Sequence, residues 1–247
     1  MNASALQIHQ ALEVVASLRA QYAANPELAA ASLEIKQFQA TRFQATYGDL
    51  LKSPRYQPAT QFFLTELYGD KDYANRDQQF ARIASTIAKL FPQAVVNTAA
   101  ALAEVHALTE RLDHDMAQQW LSLKMQPNLS PAAQYIACWR KVADPAARQK
   151  QLDVVLALGT SLNELTRKPG LRTLLKMMRA PAAAAGLASL QRFLESGFDA
   201  FAAMRGADDF LTLIHRRESE WIALLFTEDA VACETRLNQL MGVFQNG

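Results

Sequence analysis

Only two cysteines, Cys138 and Cys233, occur in the 247 residues, and their spacing fits neither a zinc ribbon nor a redox pair. Two thiols build no disulfide framework, so the expected setting is a reducing, cytoplasmic one. Long apolar runs are equally scarce: charged residues interrupt every stretch short of the roughly 20 residues that span a bilayer, and no membrane span is expected. The start, Met1-Asn2-Ala3-Ser4-Ala5-Leu6, has neither a basic leader nor an apolar signal core, which argues against secretion. Charge of one sign is lacking too. With 25 Lys and Arg against 24 Asp and Glu, the net charge of +1 provides no field toward phosphate backbones or acidic lipids, and nucleic acid is disfavoured as the main partner. There is no glycine-rich phosphate loop, no Gly-x-Ser-x-Gly elbow, no His-Glu-x-x-His and no aspartate-rich pair for magnesium diphosphate.

What the chain does have is helical punctuation. Half of its residues are hydrophobic and a fifth charged, a globular balance, and the length suffices for a core without disulfides or metals. Its nine prolines and nine glycines mostly stand where an apolar 3.6-residue pattern begins or ends. The spacing predicts helices from about Ser4 to Ala24, from Pro26 to Leu51, from Ala59 to Tyr68, from Asn75 to Phe91 and from Pro92 to Lys124. Breaks are expected at Gly69-Asp70 and Gln126-Pro127-Asn128. Ser130-Pro131 and Asp144-Pro145 each pair an N-cap with proline at the first helical position. Further helices follow up to Met178, from Pro181, from Asp208 and after Glu228. No segment alternates with period two, so the fold class is all-α, a globular bundle of about nine helices. Residues 1–247 read as one domain, in which an N-terminal hairpin over 4–52 could pack on 59–244.

The densest cluster is Phe62-Phe63-Leu64-Thr65-Glu66-Leu67-Tyr68-Gly69-Asp70, followed by Asp72, Arg76 and Asp77. Its aromatic and leucine side chains leave a narrow stripe near Thr65 for solvent, so Glu66 is partly desolvated and needs a cationic or hydrogen-bonding partner, or its pKa rises; Arg76 and Arg217 are the candidate partners. Pairing of Glu66 and Asp77 with arginines to fix a helix corner is favoured over catalysis, since ion-pair networks also perturb carboxylates. At this motif the chain resembles a bacterial family of unknown function named for a Phe-Phe-Leu-Glu-Glu signature. Arg76-Asp77, Arg179-Ala180-Pro181-Ala182, Gly186-Leu187 and Arg217-Glu218 are in keeping with it, over a likeness that reaches about Phe226. Thr65 stands where the signature's first Glu would fall, so a carboxylate there is dispensable. The resemblance implies no activity, ligand or cofactor.

A second cluster, Glu104, His106, Glu110, Asp113, His114 and Asp115, lies in the longest helix. His106, Glu110 and Asp113 share one face, continuing the line of Ala99 and Ala103, so a polar strip beside small residues could line a cavity. As metal ligands His106, Glu110, Asp113 and His114 are weak candidates, because the Glu-x-x-His spacing of carboxylate-bridged bundles is absent. In the third cluster Phe210, Ile214, Arg217, Trp221 and Leu224 form one stripe. That places Arg217 in an apolar line, where Glu66 or Asp77 could pair with it or an anionic ligand be gripped, while His215 and Glu218 read as an exposed pair. Cys138, beside Ile136 and Trp139, reads as core. Phe38, Phe43, Tyr47 and Tyr56 read as core residues that could also stack on a ligand.

Two functional readings follow. The first is a noncatalytic helical binding or interaction module with a protein or small-molecule partner, compatible with a homodimer. The second is a helical enzyme or ligand-binding protein whose buried polar pocket, formed by Glu66, His106, Glu110 and Arg217, could hold a metal. Catalytic residues and cofactors are left unassigned. The readings differ in what they require: convergence of these groups in a cavity, or an exposed apolar patch.

Overall fold

The computed structural model describes residues 3–67, 73–90, 93–124, 129–142 and 145–245, and among them it contains helices and turns but no strand. Tyr68, the break at Gly69-Asp70, Asp72, Phe91 and Pro92, the turn at Gln126-Pro127-Asn128, and Asp144 lie outside the described residues.

Capping chemistry sets several boundaries. After α1 (Ala3–Ala24), Asn25 in an extended conformation accepts from the Leu28 amide at 3.1 Å, and Pro26 opens α2 (Pro26–Thr46). The helix expected to continue to Leu51 breaks at Tyr47, whose ring is fully buried, and a separate turn α3 (Gly48–Leu51) follows. Next, α4 (Gln57–Phe62) runs directly into one π-helical turn, Phe63–Leu67. Then α5 (Ala74–Leu90) begins before Asn75, which accepts from the Gln79 side chain inside the helix instead of capping it. The longest helix is α6 (Gln93–Lys124), followed by α7 (Pro131–Val142), whose Ser130 cap accepts from the Ala133 amide at 3.1 Å, and α8 (Pro145–Thr166).

The remaining elements are α9 (Leu171–Met177), α10 (Arg179–Ala184), α11 (Ala188–Ala203), α12 (Asp208–Thr227) and α13 (Ala230–Gln245). The helix expected to open at Pro181 is thus two helices. The Leu187 amide bonds the Ala182 carbonyl at 2.7 Å and that of Gly186 bonds Ala183 at 3.0 Å, with Gly186 at φ 69°. This paired closure around a left-handed residue ends α10. Such breaks give the chain more helical segments than the nine expected.

α6 is the hub: α1 and α2 lie along it, α7 and α8 pack against other sides, and α12 covers α8. α11 joins α4, α5 and α8, while α13 closes over α2 and α7. A large buried apolar cluster extends from Ile8 to Leu237, and a smaller one joins Phe63, Val105, Val155 and Leu158. Both cysteines are buried in the interior, and burial pushes the Cys138 thiol up to about 11, so it behaves as an apolar core group. Phe38 stacks on Tyr135 at 4.4 Å between centroids and Tyr56 lies against Phe210, so these aromatics are core. Among the described residues no helix is long and apolar enough to cross a membrane.

One ion pair ties α2 to α12 through this core. Arg42 Nη2 donates to Glu218 Oε2 at 2.8 Å, Arg42 Nη1 reaches Oε1 at 3.3 Å, and the Tyr47 hydroxyl donates to Oε1 at 2.6 Å. The buried line of α12 runs Phe210, Ile214, Glu218, Ile222 and Leu225. This corrects two expectations: Glu218, not Arg217, occupies the apolar line, and Glu218 is not an exposed partner of His215. After Ile214 both i+3 and i+4 continue a helical stripe, and the buried Arg42 guanidinium favours the carboxylate. Breaking a buried pair by removing one partner leaves an uncompensated charge. Glu218→Ala is therefore expected to lower stability by about 3–5 kcal/mol in urea unfolding, while Arg42→Leu with Glu218→Leu recovers most of that loss.

Candidate functional site

Between α4, α5, α6, α8, α11 and α12 lies a cavity of about 280 Å³. Its wall is overwhelmingly apolar, with Phe62, Phe80, Leu102, Leu158, Phe198 and Leu211 among its residues. Small residues line part of this space. Ala99 and Ala103 face it from α6, and Gly159 and Gly197 from α8 and α11. A Cβ on Gly197 would stand 2.8 Å from the Phe62 ring, so glycine is what lets α11 approach this closely.

The outer wall is α9 and α10. Leu171, Leu175, Met178 and Ala182 line the cavity at helical spacing across both segments, yet no residue of α9 is fully buried. The pair is bracketed by Gly170 at φ 78° and Gly186 at φ 69°. It forms an amphipathic strap, held over the cavity by Arg179 and Glu195, and by Gln191 donating to the Leu175 carbonyl at 2.6 Å.

At one end the wall becomes polar, with Glu66, Arg76, Asp77 and His106. Asp77 is the centre of this group. Its Oδ2 lies 2.6 Å from Arg19 Nη2 and 2.8 Å from His106 Nε2, and its Oδ1 accepts from Arg76 Nε at 3.2 Å, which joins α1, α5 and α6 through one carboxylate. Burial works to raise this carboxyl's pKa. The hydrogen bond and electrostatic attraction of His106, the charge of Arg76 and the hydrogen bond from Arg19 prevail and hold it at about 2. Arg76 also donates to the Glu66 carbonyl at 3.0 Å and stacks on Tyr73 and Phe193, with Cζ 4.3 and 4.7 Å from the ring centroids. The π-helical turn is held in turn by the Tyr73 hydroxyl, which donates to the Thr65 carbonyl at 2.6 Å. π-turns are enriched at functional sites because they re-aim side chains that a regular helix would place elsewhere.

A second, smaller cavity of about 40 Å³ lies among α2, α6, α7, α8 and α12. Its lining includes Arg42, Asp113, Tyr135, Trp139, Arg148 and Glu218, and it shares Phe63 and Val155 with the large cavity. Arg148 lies 3.8 Å over the Trp139 ring and donates to Gln151 Oε1 at 3.4 Å. Asp113 accepts from Gln39 Nε2 at 3.1 Å, and burial, the dominant influence, pushes its carboxyl up to about 6.

The residues singled out in the sequence therefore separate. Glu66, Arg76 and Asp77 come together and are joined by His106. Arg217 belongs elsewhere, donating to both carboxylate oxygens of Asp49 at 2.7 Å and to the Thr46 carbonyl at 2.8 Å, and Glu218 lies at the small cavity. The strip on α6 is divided among neighbours: His106 meets Asp77, Glu110 takes both its hydrogen bonds from Lys36, and Asp113 meets Gln39. His114 Nε2 pairs with Gln118. Among the described residues no group of three or more His, Cys, Asp or Glu side chains converges as a metal site. Of the expected pocket of Glu66, His106, Glu110 and Arg217, the first two line the large cavity and the others do not. Arg19, Arg42 and Arg148 were missed. The last two interrupt apolar stripes, Ile35-Gln39-Arg42-Phe43 and Arg148-Leu152-Val155, and that interruption is the signal that could have found them.

Fold and site together define an all-helical protein with an internal apolar cavity bordered by buried charge. The chain belongs to a family described as a domain of unknown function, DUF8198, whose model matches residues 18–232. No curated protein and no solved structure matches it.

The two buried aspartates have opposite pH signatures. Asp77's folded pKa is depressed, so its contribution is present above the unfolded value near 4 and is lost as pH falls through about 2. The stability gap between wild type and Asp77→Asn, roughly 2–3 kcal/mol at pH 6, should close between about pH 4 and 2 in urea titrations. Asp113's folded pKa is raised, so its contribution is fully present below about pH 4 and is lost as pH rises through about 6. Wild type should therefore gain about 1–2 kcal/mol from this group between pH 7 and 4.5, and Asp113→Asn should abolish that gain.

Proposed function

We propose that the chain is a noncatalytic binding module whose partner is a small, largely apolar molecule held in the large cavity. The observation that carries this reading is the cavity itself, about 280 Å³ inside a core that is otherwise closely packed. An apolar space of this size sacrifices packing contacts that a few larger side chains would restore. Ala99 and Ala103 leave it room on the α6 side, while Gly159 and Gly197 let Leu211 and Phe62 close against α8 and α11. The volume lies near the lower end of ligand pockets, which span about 300–1,000 Å³. The strap supplies an entry route, because two left-handed glycines give it hinges and its cavity face is apolar. A protein-docking role has weaker support: the exposed large apolar side chains among the described residues are Leu6, Leu33, Leu129, Leu174, Met177, Leu194 and Val231, spread over different elements. Kinship to the Phe-Phe-Leu-Glu-Glu family, and with it a bacterial, cytoplasmic setting, belongs to the same proposal and rests on Phe62, Phe63, Leu64 and Glu66.

The test is titration of the delipidated protein with a neutral apolar dye such as Nile red. Saturable one-to-one binding is expected in wild type. Ala99→Phe and Ala103→Phe, which fill the cavity from α6, should weaken it about tenfold or more without lowering the urea midpoint. Absent saturable binding, or unchanged affinity in both folded variants, would refute the reading.

A further inference from the structure

The small cavity holds an imbalance that the large one does not. At the polar end of the large cavity the polar side chains meet one another, since Asp77 takes Arg19, Arg76 and His106. At the small cavity three buried groups have no hydrogen-bond partner among the described residues: Arg42 Nε, the Tyr135 hydroxyl and Trp139 Nε1. Tyr135 is fully buried, Arg42 is 2% exposed and Trp139 7%. Arg42 Nε and Trp139 Nε1 can only donate. Burial pushes the Tyr135 hydroxyl up to about 12, so it too keeps its proton at neutral pH. Three donors around one small space require an acceptor.

Glu218 does not supply it, because Arg42's terminal nitrogens and Tyr47 already engage its oxygens. Asp113 takes its hydrogen bond from Gln39. The space, about 40 Å³, suits a few waters at roughly 10–15 Å³ each or one carboxylate. The Arg148 guanidinium on the Trp139 face adds positive charge to the same wall. Phe63 and Val155 line both cavities and pack in one apolar cluster with Val105 and Leu158, so the polar chamber and the apolar one share two hydrocarbon side chains.

From this juxtaposition we infer that the ligand is a single-chain amphiphile of the fatty-acid class, with its carboxylate in the chamber of Arg42, Tyr135, Trp139 and Arg148 and its hydrocarbon chain passing Phe63 and Val155 into the large cavity. This rests on the binding function proposed above and names its ligand class. The head group satisfies the orphaned donors with charge-assisted hydrogen bonds, which are shorter and stronger than those to neutral oxygen. The tail gains from leaving water in proportion to its area. A hydrocarbon without an acceptor leaves the donors unanswered, and a small anion without a chain leaves the large cavity empty.

Decanoate and 1-decanol, which share a chain and differ in the head, separate these terms by calorimetric titration of the delipidated full chain. Wild type is expected to bind decanoate about tenfold or more tightly than decanol. Tyr135→Phe with Trp139→Phe removes two donors while keeping an aromatic ring beneath Arg148. It should erase that preference and leave decanol affinity unchanged. Val155→Trp, at the shared wall, should weaken both ligands. Equal affinity of wild type for the two ligands would mean that the chamber holds water alone, and would overturn the carboxylate assignment while leaving the binding function intact. A decanoate preference that survives in the folded double variant overturns the assignment as well. If neither ligand binds but Nile red does, the ligand class is wrong; if none of the three binds, the binding function itself fails.

Discussion

α6 is packed on several sides at once, and that constraint governs most of the arrangement around it. A helix in this position keeps one exposed edge, along Asn97, Glu104, Arg111 and Gln118, and the polar residues on its other faces must meet partners brought by other elements. Asp77 of α5 answers His106, Lys36 of α2 answers Glu110, and Gln39 answers Asp113. Glu34 on α2 likewise takes the Trp120 indole at 2.8 Å. Four polar positions along one helix thereby fix the register of α2 and the placement of α5 against it. The apolar contacts fill the space between these points, but they tolerate sliding in a way that a buried hydrogen bond does not.

The two cavities follow from opposite departures from close packing. The large one is bordered on α6 by Ala99 and Ala103, whose short side chains leave apolar space unfilled, which costs dispersion energy but leaves no polar group stranded. The small one exists because polar side chains from five helices meet with donors in excess of acceptors. Neither departure is what stability alone would select. Their sharing of Phe63 and Val155 makes them more informative together than separately, since one offers a surface for hydrocarbon and the other a place for its polar end. The π-helical turn carries Phe63 into that shared wall, directly between Phe62 at the large cavity and Glu66 at its polar end.

Much of the helical architecture was legible because it depends on local chemistry. Asn25-Pro26 and Ser130-Pro131 start helices by capping, and the structure places both starts as expected. The additional breaks were harder to see because they depend on other parts of the chain: Tyr47 leaves the helix to put its hydroxyl on Glu218, more than a hundred residues away. The Gly186 break was local, but Pro181 just upstream offered a competing start signal. At the site, the cluster of Glu66, Arg76 and Asp77 was legible from the density of charge beside aromatics. The line of Ala99, Ala103 and His106 facing a cavity was legible from helical spacing. The failure over Arg217 and Glu218 has a precise cause in periodicity: residues i+3 and i+4 lie on the same broad face, and which of two adjacent charges turns inward depends on the charge waiting there. Arg42 decides it, and nothing within α12 reveals Arg42.

That same dependence explains why the small cavity is the feature least accessible to sequence reasoning and the most specific in chemistry. Its groups come from α2, α6, α7, α8 and α12, and each alone has an ordinary explanation as core aromatic, ion pair or helix-surface polar residue. Only the assembled geometry exposes the excess of donors. Tyr135 and Trp139 stand one turn apart on α7, so both line the chamber from one rigid element, while Arg148 stacks on Trp139. A site whose donors are already positioned and desolvated needs little reorganisation to receive an oxyanion, and loses most when given a head that cannot accept. Binding energy from the hydrocarbon chain is indifferent to such detail. Selectivity among amphiphiles of equal length would therefore reside in the 40 Å³ chamber, and the 280 Å³ cavity would set how long a chain can follow.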